Sequence, residues 1–412
     1  METNPTKKPK ISNLQTSFSK GIDRIGELPD VLLHQILSFL PTKQVVQTSI
    51  LSKRWIHLWK FINTLNLDVN DFSTTKSFKV FIHNLLNLRN IESNILALRM
   101  SWPWISSRDI DAIMCYASYH KVESMAIDCW RPFPLFNNPS LGCSLRILKL
   151  KRGWLGGKID LLTFQNLHTI HIYDTWVQAP LESLIDNCPS LEELFLKSSS
   201  FVSLRTHSNK MSKLSIHDCS SHDEKIEISC PSLISLSYGN TPSMKCSLEN
   251  LWSLDNAYFS WFDHKGVKFL NGLCRVKVLV LDCLHLESIY KEALNGSLPV
   301  FHNLKSLTTK SCPVSTKIHA QAITYLLLNS PALETLIIEH STYYLGKCNL
   351  SNTKGGGWPP KGFDVECFSC LKVVEFRKFG SSTAEIELLK FISQNARDLE
   401  RITIAPNKKV NK

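Results

Sequence analysis

Residues 181–197 read LESLIDNCPSLEELFLK. Leu181, Leu184 and Ile185 step along one face of a short helix. Leu191, Leu194 and Leu196 follow as apolar, two others, apolar, one other, apolar, and the last two alternate as one face of a strand should. The same pattern starts at Ile95, Val122, Leu145, Leu167, Leu191, Met211, Leu233, Leu254, Val276, Leu304, Leu333, Leu371 and Leu399, with a degenerate copy at Leu254/Ala257/Phe259. Successive starts are 20 to 38 residues apart, most of them 20 to 29. One or two copies would be chance in a leucine-rich chain, whereas thirteen at this spacing are not. No copy can bury its own apolar face, so neighbouring strands must stack in parallel over one continuous core.

The expected fold is therefore α/β, a solenoid over residues 90–350 with parallel strands on its concave side and helices and loops on its convex side. Cys188-Pro189-Ser190-Leu191, Cys230-Pro231-Ser232-Leu233 and Pro331-Ala332-Leu333 mark the turns into strands. Each is preceded by helix-like sequence, which places convex helices at 181–187 and 318–329. The period resembles that of leucine-rich repeats, and the Cys-Pro turn is similar to their cysteine-containing form.

Residues between the repeated apolar positions face the concave side, among them Ile147, Thr169, Glu193 and Ser215. Lys149, Lys151, His171, Tyr173, Phe195, Lys197 and His217 are the candidate target-binding residues, because aromatic and cationic side chains on a concave sheet suit a partner.

The segment 23–59 is different. Leu28-Pro29, Leu32, Leu33, Ile36, Leu37 and Leu40 form one broad apolar helical stripe, with Pro29 in the first turn and Pro41 ending it. Thr42 can cap a second short helix holding Val45, Val46 and Ile50, and Ser52 a third with Trp55, Leu58 and Trp59. So small an apolar module must dock, either on the rest of this chain or on another protein. The order Leu28-Pro29, Leu32, Ile36-Leu37, Pro41-Thr42-Lys43, Leu51-Ser52-Lys53-Arg54-Trp55 and Leu58-Trp59 resembles the F-box of plant F-box/leucine-rich-repeat proteins. The resemblance implies a three-helix module over 21–67 that binds a Skp-type adaptor and, through it, a cullin. The matching adaptor-facing residues are Leu28, Pro29, Leu32, Ile36, Leu37, Leu51, Lys53 and Trp55, some of which must also be internal core.

After Gly355–Pro360 come a strand-like 367–379, a helix-like 384–395 and a last strand-like 399–404. Trp358-Pro-Pro, Cys370-Leu371-Lys-Val-Val, Glu387-Leu388-Leu389 to Ala396 and Leu399-Glu400 to Ile404 together resemble the FBD region of plant F-box proteins, over 355–405. It would continue the repeat architecture.

The chain's 43% hydrophobic and 20% charged residues describe a globular protein. No apolar run is long enough to cross a bilayer and the start has no secretion signal, so the expectation is nucleus or cytoplasm without membrane contact. Thirteen scattered cysteines in apolar surroundings read as reduced thiols. The net charge of +11 is mostly dispersed, with Lys7, Lys8 and Lys10 in a basic, disordered tail over 1–20, which disfavours nucleic acid as the partner. Cys367 and Cys370 lack the second ligand pair of a zinc site. Asp109 and Asp111 lie two apart in helix-like sequence and point different ways. No nucleophile elbow, phosphate loop or dinucleotide fingerprint is present. With no catalytic constellation in the sequence, what the F-box resemblance implies is a non-catalytic substrate receptor of an SCF ubiquitin ligase, with no metal or cofactor expected. The alternatives are an F-box protein that sequesters its partner without ubiquitin transfer and, less favoured, a nucleic-acid-binding repeat protein.

Overall fold

Thirteen strands stand where the repeated apolar pattern puts them, and a fourteenth precedes them. The computed structural model describes residues 25–90, 93–133, 139–156, 163–223, 225–240, 245–260, 268–282, 286–310, 317–339 and 368–406. The basic tail, the Gly355–Pro360 loop and Cys367 lie outside them.

The strands are β1 (Thr64–Asp68), β2 (Ala97–Ser101), β3 (Ser124–Asp128), β4 (Ile147–Lys151), β5 (Thr169–Tyr173), β6 (Glu193–Lys197) and β7 (Lys213–His217). They continue as β8 (Ser235–Gly239), β9 (Asn256–Ser260), β10 (Val278–Asp282), β11 (Ser306–Lys310), β12 (Thr335–Glu339), β13 (Val373–Phe379) and β14 (Arg401–Pro406). All fourteen form one sheet in chain order, each parallel to its neighbours. The register sets repeated apolar positions side by side, as in Ile170↔Leu194 and Leu194↔Leu214, and these residues are buried. Strand β1 carries a fourteenth copy of the pattern, Ile62/Leu65/Leu67, inside the segment 21–67 assigned from sequence to the helical module.

The convex side follows repeat length. Long repeats carry helices: α4 (Thr75–Leu88) and α5 (Ser107–Tyr119) near the start, and α8 (Leu286–Leu294), α9 (Lys317–Leu328) and α10 (Thr383–Asn395) near the end. Two six-residue helices, α6 (Pro139–Ser144) and α7 (Leu181–Asp186), lie between them. The helix expected before Cys230 is instead a strand, Lys225–Ser229, in a small parallel sheet with Leu204–Thr206 and Lys245–Glu249. Ile226 and Ile228 are buried and alternate with period two, which makes this stretch of the 22-residue repeat from Met211 to Leu233 a strand.

A recurring turn ends the central strands. Arg152, Asp174, Ser198, Asp218 and Asn240 all take positive φ, between 48° and 70°. Each donates its N–H to the last strand carbonyl of the next rung, as Asp174 does to Lys197 O at 3.0 Å. The chain thereby passes onto a flank, where Trp154–Leu155, Trp176–Val177, Ser200–Phe201 and Ser220–Ser221 form a second parallel sheet.

The N-terminal module consists of α1 (Asp30–Leu37), α2 (Thr42–Gln47) and α3 (Trp55–Leu58), with a 3-10 turn after each of the last two. Neither expected side-chain cap forms. Thr42 is fully buried and accepts the N–H of Asn66 at 2.7 Å, while Ser52 holds the Trp55 N–H with its backbone carbonyl at 3.0 Å. Lys43 reaches the Asp71 carbonyl and lies 4.7 Å from the centre of the Phe72 ring. Leu33, Leu37, Val45, Trp55, Leu58 and Trp59 join the same core as the repeats. The helices thus cover the first edge of the sheet, where unpaired strand groups would otherwise invite aggregation.

Candidate docking surfaces

Packing divides the eight residues proposed for adaptor contact. Leu37 (2% exposed) and Trp55 (7%) are core, so their expected place on the adaptor-facing surface is corrected: they hold the helices together from inside. Leu28 is half-buried against the same core. Leu32 (44%), Ile36 (47%) and Leu51 (63%) face outward, with Pro29 and Lys53 also exposed. The adaptor-facing set drawn from the sequence leaves out Val31, Phe39 (81%), Ile50 (86%) and Ile56, which are exposed as well. The module therefore turns one apolar set onto the array and leaves another bare.

Arg54 ties the outward set together. Its guanidinium bonds to Asp30 and to the backbone carbonyls of Gly26 and Leu28, linking the turn before α1 to the start of α3.

On the concave face, the structure brings four of the seven predicted residues into one cluster. Ring centroids lie 5.4 Å apart for His171 and Phe195, 5.3 Å for Tyr173 and Phe195, and 6.1 Å for Phe195 and His217. Tyr258, not predicted, extends the cluster at 6.0 Å from His217, and Lys310 lies over its ring at 5.3 Å. His171 Nε2 lies 2.8 Å from Glu193 Oε1, and His217 Nε2 is 2.9 Å from the Ser237 hydroxyl. Gly239 leaves room for His217, because a Cβ there would sit 2.9 Å from its Nδ1. Burial pushes the His217 pKa below the ordinary histidine value, with nearby Lys197 adding to the effect and Asp218 opposing it. Lys149, Lys151 and Lys197 are exposed around the cluster rather than within it.

Among the described residues no group of His, Cys, Asp and Glu side chains could hold a metal ion, and no helix is long and apolar enough to cross a membrane. Burial raises the thiol pKa of Cys129 and Cys219 to about 11 and of Cys188 to about 12, far from nucleophilic values. Cys129, Cys188, Cys219 and Cys230 are buried free thiols.

The family models decide the membership. Residues 119–412 match the model described as At1g61320/AtMIF1, LRR domain, and residues 25–65 match the F-box domain. The chain is an F-box/leucine-rich-repeat protein. It is 28% identical to the putative F-box/FBD/LRR-repeat protein At5g22610 of Arabidopsis thaliana, over 93% of this chain and 83% of that one. It is 29% identical to the F-box/LRR-repeat protein At4g14103 of the same plant, over 80% of this chain and 96% of the relative, and 28% identical to the F-box/FBD/LRR-repeat protein At4g00160, over 96% and 89%. F-box/leucine-rich-repeat proteins are generally non-catalytic adaptors, in which the F-box binds a Skp-type protein and the repeats bind a target.

Proposed function

We propose that this F-box/leucine-rich-repeat protein is the substrate-recognition subunit of an SCF-type ubiquitin ligase, acting in the nucleus or cytoplasm. The F-box docks a Skp-type adaptor, and the repeats hold a target so that its lysines meet an activated ubiquitin conjugate. The observation that carries this reading is the two-faced F-box. Its inner residues are part of the repeat core, yet Leu32, Ile36, Phe39, Ile50 and Leu51 remain bare on a module already anchored. Apolar side chains left exposed on a packed module suit a protein partner. The chain then works by tethering, which raises the effective concentration of the acceptor without a bond being made or broken by the receptor.

The test is co-purification of the full chain with a plant Skp-type adaptor. Wild type is expected to form a stable complex, and Ile36→Glu/Leu51→Glu to recover at least about tenfold less while melting at the same temperature. Equal recovery by both proteins, or no complex with wild type, would overturn the adaptor role.

A further inference from the structure

Strands β1 to β5 carry two adjoining features that neither the aromatic cluster nor the F-box explains. The first is a hollow of about 200 Å³ on the concave face, lined from Asn66 on β1 to Tyr173 on β5. Its floor is made by register: Arg99, Ala126 and Lys149 stand side by side on β2, β3 and β4. Ala126 is short, so a recess opens between two long cations. Among the described residues, neither Arg99 nor Lys149 has a carboxylate partner, and both are exposed. The one acid on the rim, Asp128, is already engaged by Arg152 and by Lys151 at 3.8 Å. The far end of the array differs, since Arg377 and Lys378 are paired with Glu375 and Glu339.

The second feature is a strip of tryptophans on the adjoining flank. Trp104 (76% exposed), Trp130, Trp154 and Trp176 (50%) follow the ends of β2, β3, β4 and β5 by two or three residues. Backbone bonds fix them rung to rung: Trp130 N–H donates to Pro103, Trp154 to Arg131 and Trp176 to Gly153. Trp104 and Trp130 stack with centroids 6.4 Å apart, and Trp154 and Trp176 are strand partners. Leu155 and Val177, next to Trp154 and Trp176, are buried, so strand alternation sets the outward position of those two tryptophans, while Trp104 and Trp130 lie in the segments that follow β2 and β3. Arg152 joins the two features, paired with Asp128 on the rim and lying 5.9 Å from the Trp130 ring centre.

We infer that this corner of the array takes an extended, acidic peptide segment of the target, with an anionic side chain between Arg99 and Lys149 and large apolar side chains on the tryptophan strip. The occupant follows from charge and shape. Two unpaired cations over a recess favour a carboxylate or a phosphate, while the exposed indoles of Trp104, Trp130 and Trp176, with half-buried Trp154 among them, supply apolar contact at small entropic cost. Four strand steps of about 4.8 Å span about 19 Å, the reach of about six extended residues. This inference rests on the receptor reading for its occupant, a target protein, but its test does not depend on the adaptor.

The experiment exposes the full-length protein to bead-displayed random decapeptides that include phosphoserine, at about 150 mM salt. Wild type is expected to recover sequences enriched at least about threefold in Asp and Glu or in phosphoserine, which separates carboxylate from phosphate, together with Trp, Phe, Leu or Pro. Arg99→Glu/Lys149→Glu should lose the acidic enrichment, Trp154→Ser/Trp176→Ser the apolar one, and Lys277→Glu/Lys305→Glu neither. Each variant is checked for an unchanged melting temperature and for adaptor capture, so that failure here is distinct from failure of the adaptor role. Absence of acidic enrichment, or its survival in Arg99→Glu/Lys149→Glu, overturns the inference. So does displacement of the recovered peptides by a 30-nucleotide single-stranded RNA that binds more tightly, which would make the corner a nucleic-acid surface.

Discussion

Arg54 Nε donates to Asp30 Oδ1 at 3.0 Å across the start of α1, and the same guanidinium holds two backbone carbonyls of the turn before it. The ion pair itself is open to water, with 37% and 58% of the two side chains exposed, so its own worth is under about 1 kcal/mol. The carbonyl bonds are different, because they fix the turn before α1 to the start of α3. Asp30→Ala is therefore expected to leave stability and adaptor capture nearly unchanged. Arg54→Ala should weaken capture several-fold with little loss of melting temperature. Parallel pull-downs and thermal melts read both, and equal effects of the two substitutions would contradict this division.

The split of the F-box into inner and outer residues makes an opposite prediction for its core. Trp55→Ala or Leu37→Ala should cost about 3–5 kcal/mol by leaving a cavity, seen as a lower urea midpoint, and any loss of adaptor binding should track unfolding. Leu32→Ala should do the reverse, weakening capture at constant stability. A Trp55→Ala protein as stable as wild type would show that this side chain is not core.

Ser198 holds φ at 51°, a region that favours glycine, and its side chain is exposed. Its backbone N–H bonds to His217 O at 2.9 Å, so the turn is needed even though the residue type is strained in it. Ser198→Gly should stabilise the chain by about 0.5–1 kcal/mol, read from the urea midpoint. Ser198→Val should destabilise by more than that, because a branched side chain is worse still at positive φ.

Burial holds the pKa values of His217 and His120 below the ordinary value of about 6.5. Over that range the unfolded chain binds more protons than the folded one, so stability rises with pH. The contribution is complete above the ordinary histidine value and is lost as pH falls from there through the lowered folded values. Melting temperature should accordingly drop between about pH 7 and pH 5.5, and His217→Gln should flatten the slope. An unchanged slope in that variant would remove His217 from the account.

Most of the sheet was legible because its signal is redundant: each of thirteen strands repeats the same apolar step, and parallel pairing follows from stacking. Ile62/Leu65/Leu67 follows the same step but abuts Trp59, so composition gave no boundary between helix and strand. Convex strands such as Lys225–Ser229 were missed because a turn motif suggested a helix, although Ile226 and Ile228 alternate with the period of a strand. Candidate residues were legible only as positions. His171, Tyr173, Phe195 and His217 meet because register sets β5, β6 and β7 side by side, whereas burial of Trp55 depends on how three helices cross. The tryptophan strip had a signal that went unused, since residues 104, 130, 154 and 176 are separated by 26, 24 and 22, the repeat period itself.

The joint between F-box and array offers the last prediction. Thr42 is fully buried, and its hydroxyl is the acceptor for the N–H of Asn66 at the open edge of β1. Thr42→Val keeps the shape and removes the acceptor, leaving a part-buried backbone donor without a partner. That should cost about 1–3 kcal/mol, well above the effect of losing an exposed hydroxyl. If the F-box must hold the repeats at a fixed angle for a target to reach the ubiquitin conjugate, the same change should lower target ubiquitination more than adaptor capture. Amide exchange read at Asn66 and Leu67 is the direct check: faster exchange local to β1, with β7 unaffected, is the expected pattern, and uniform protection would show that the joint does not depend on Thr42.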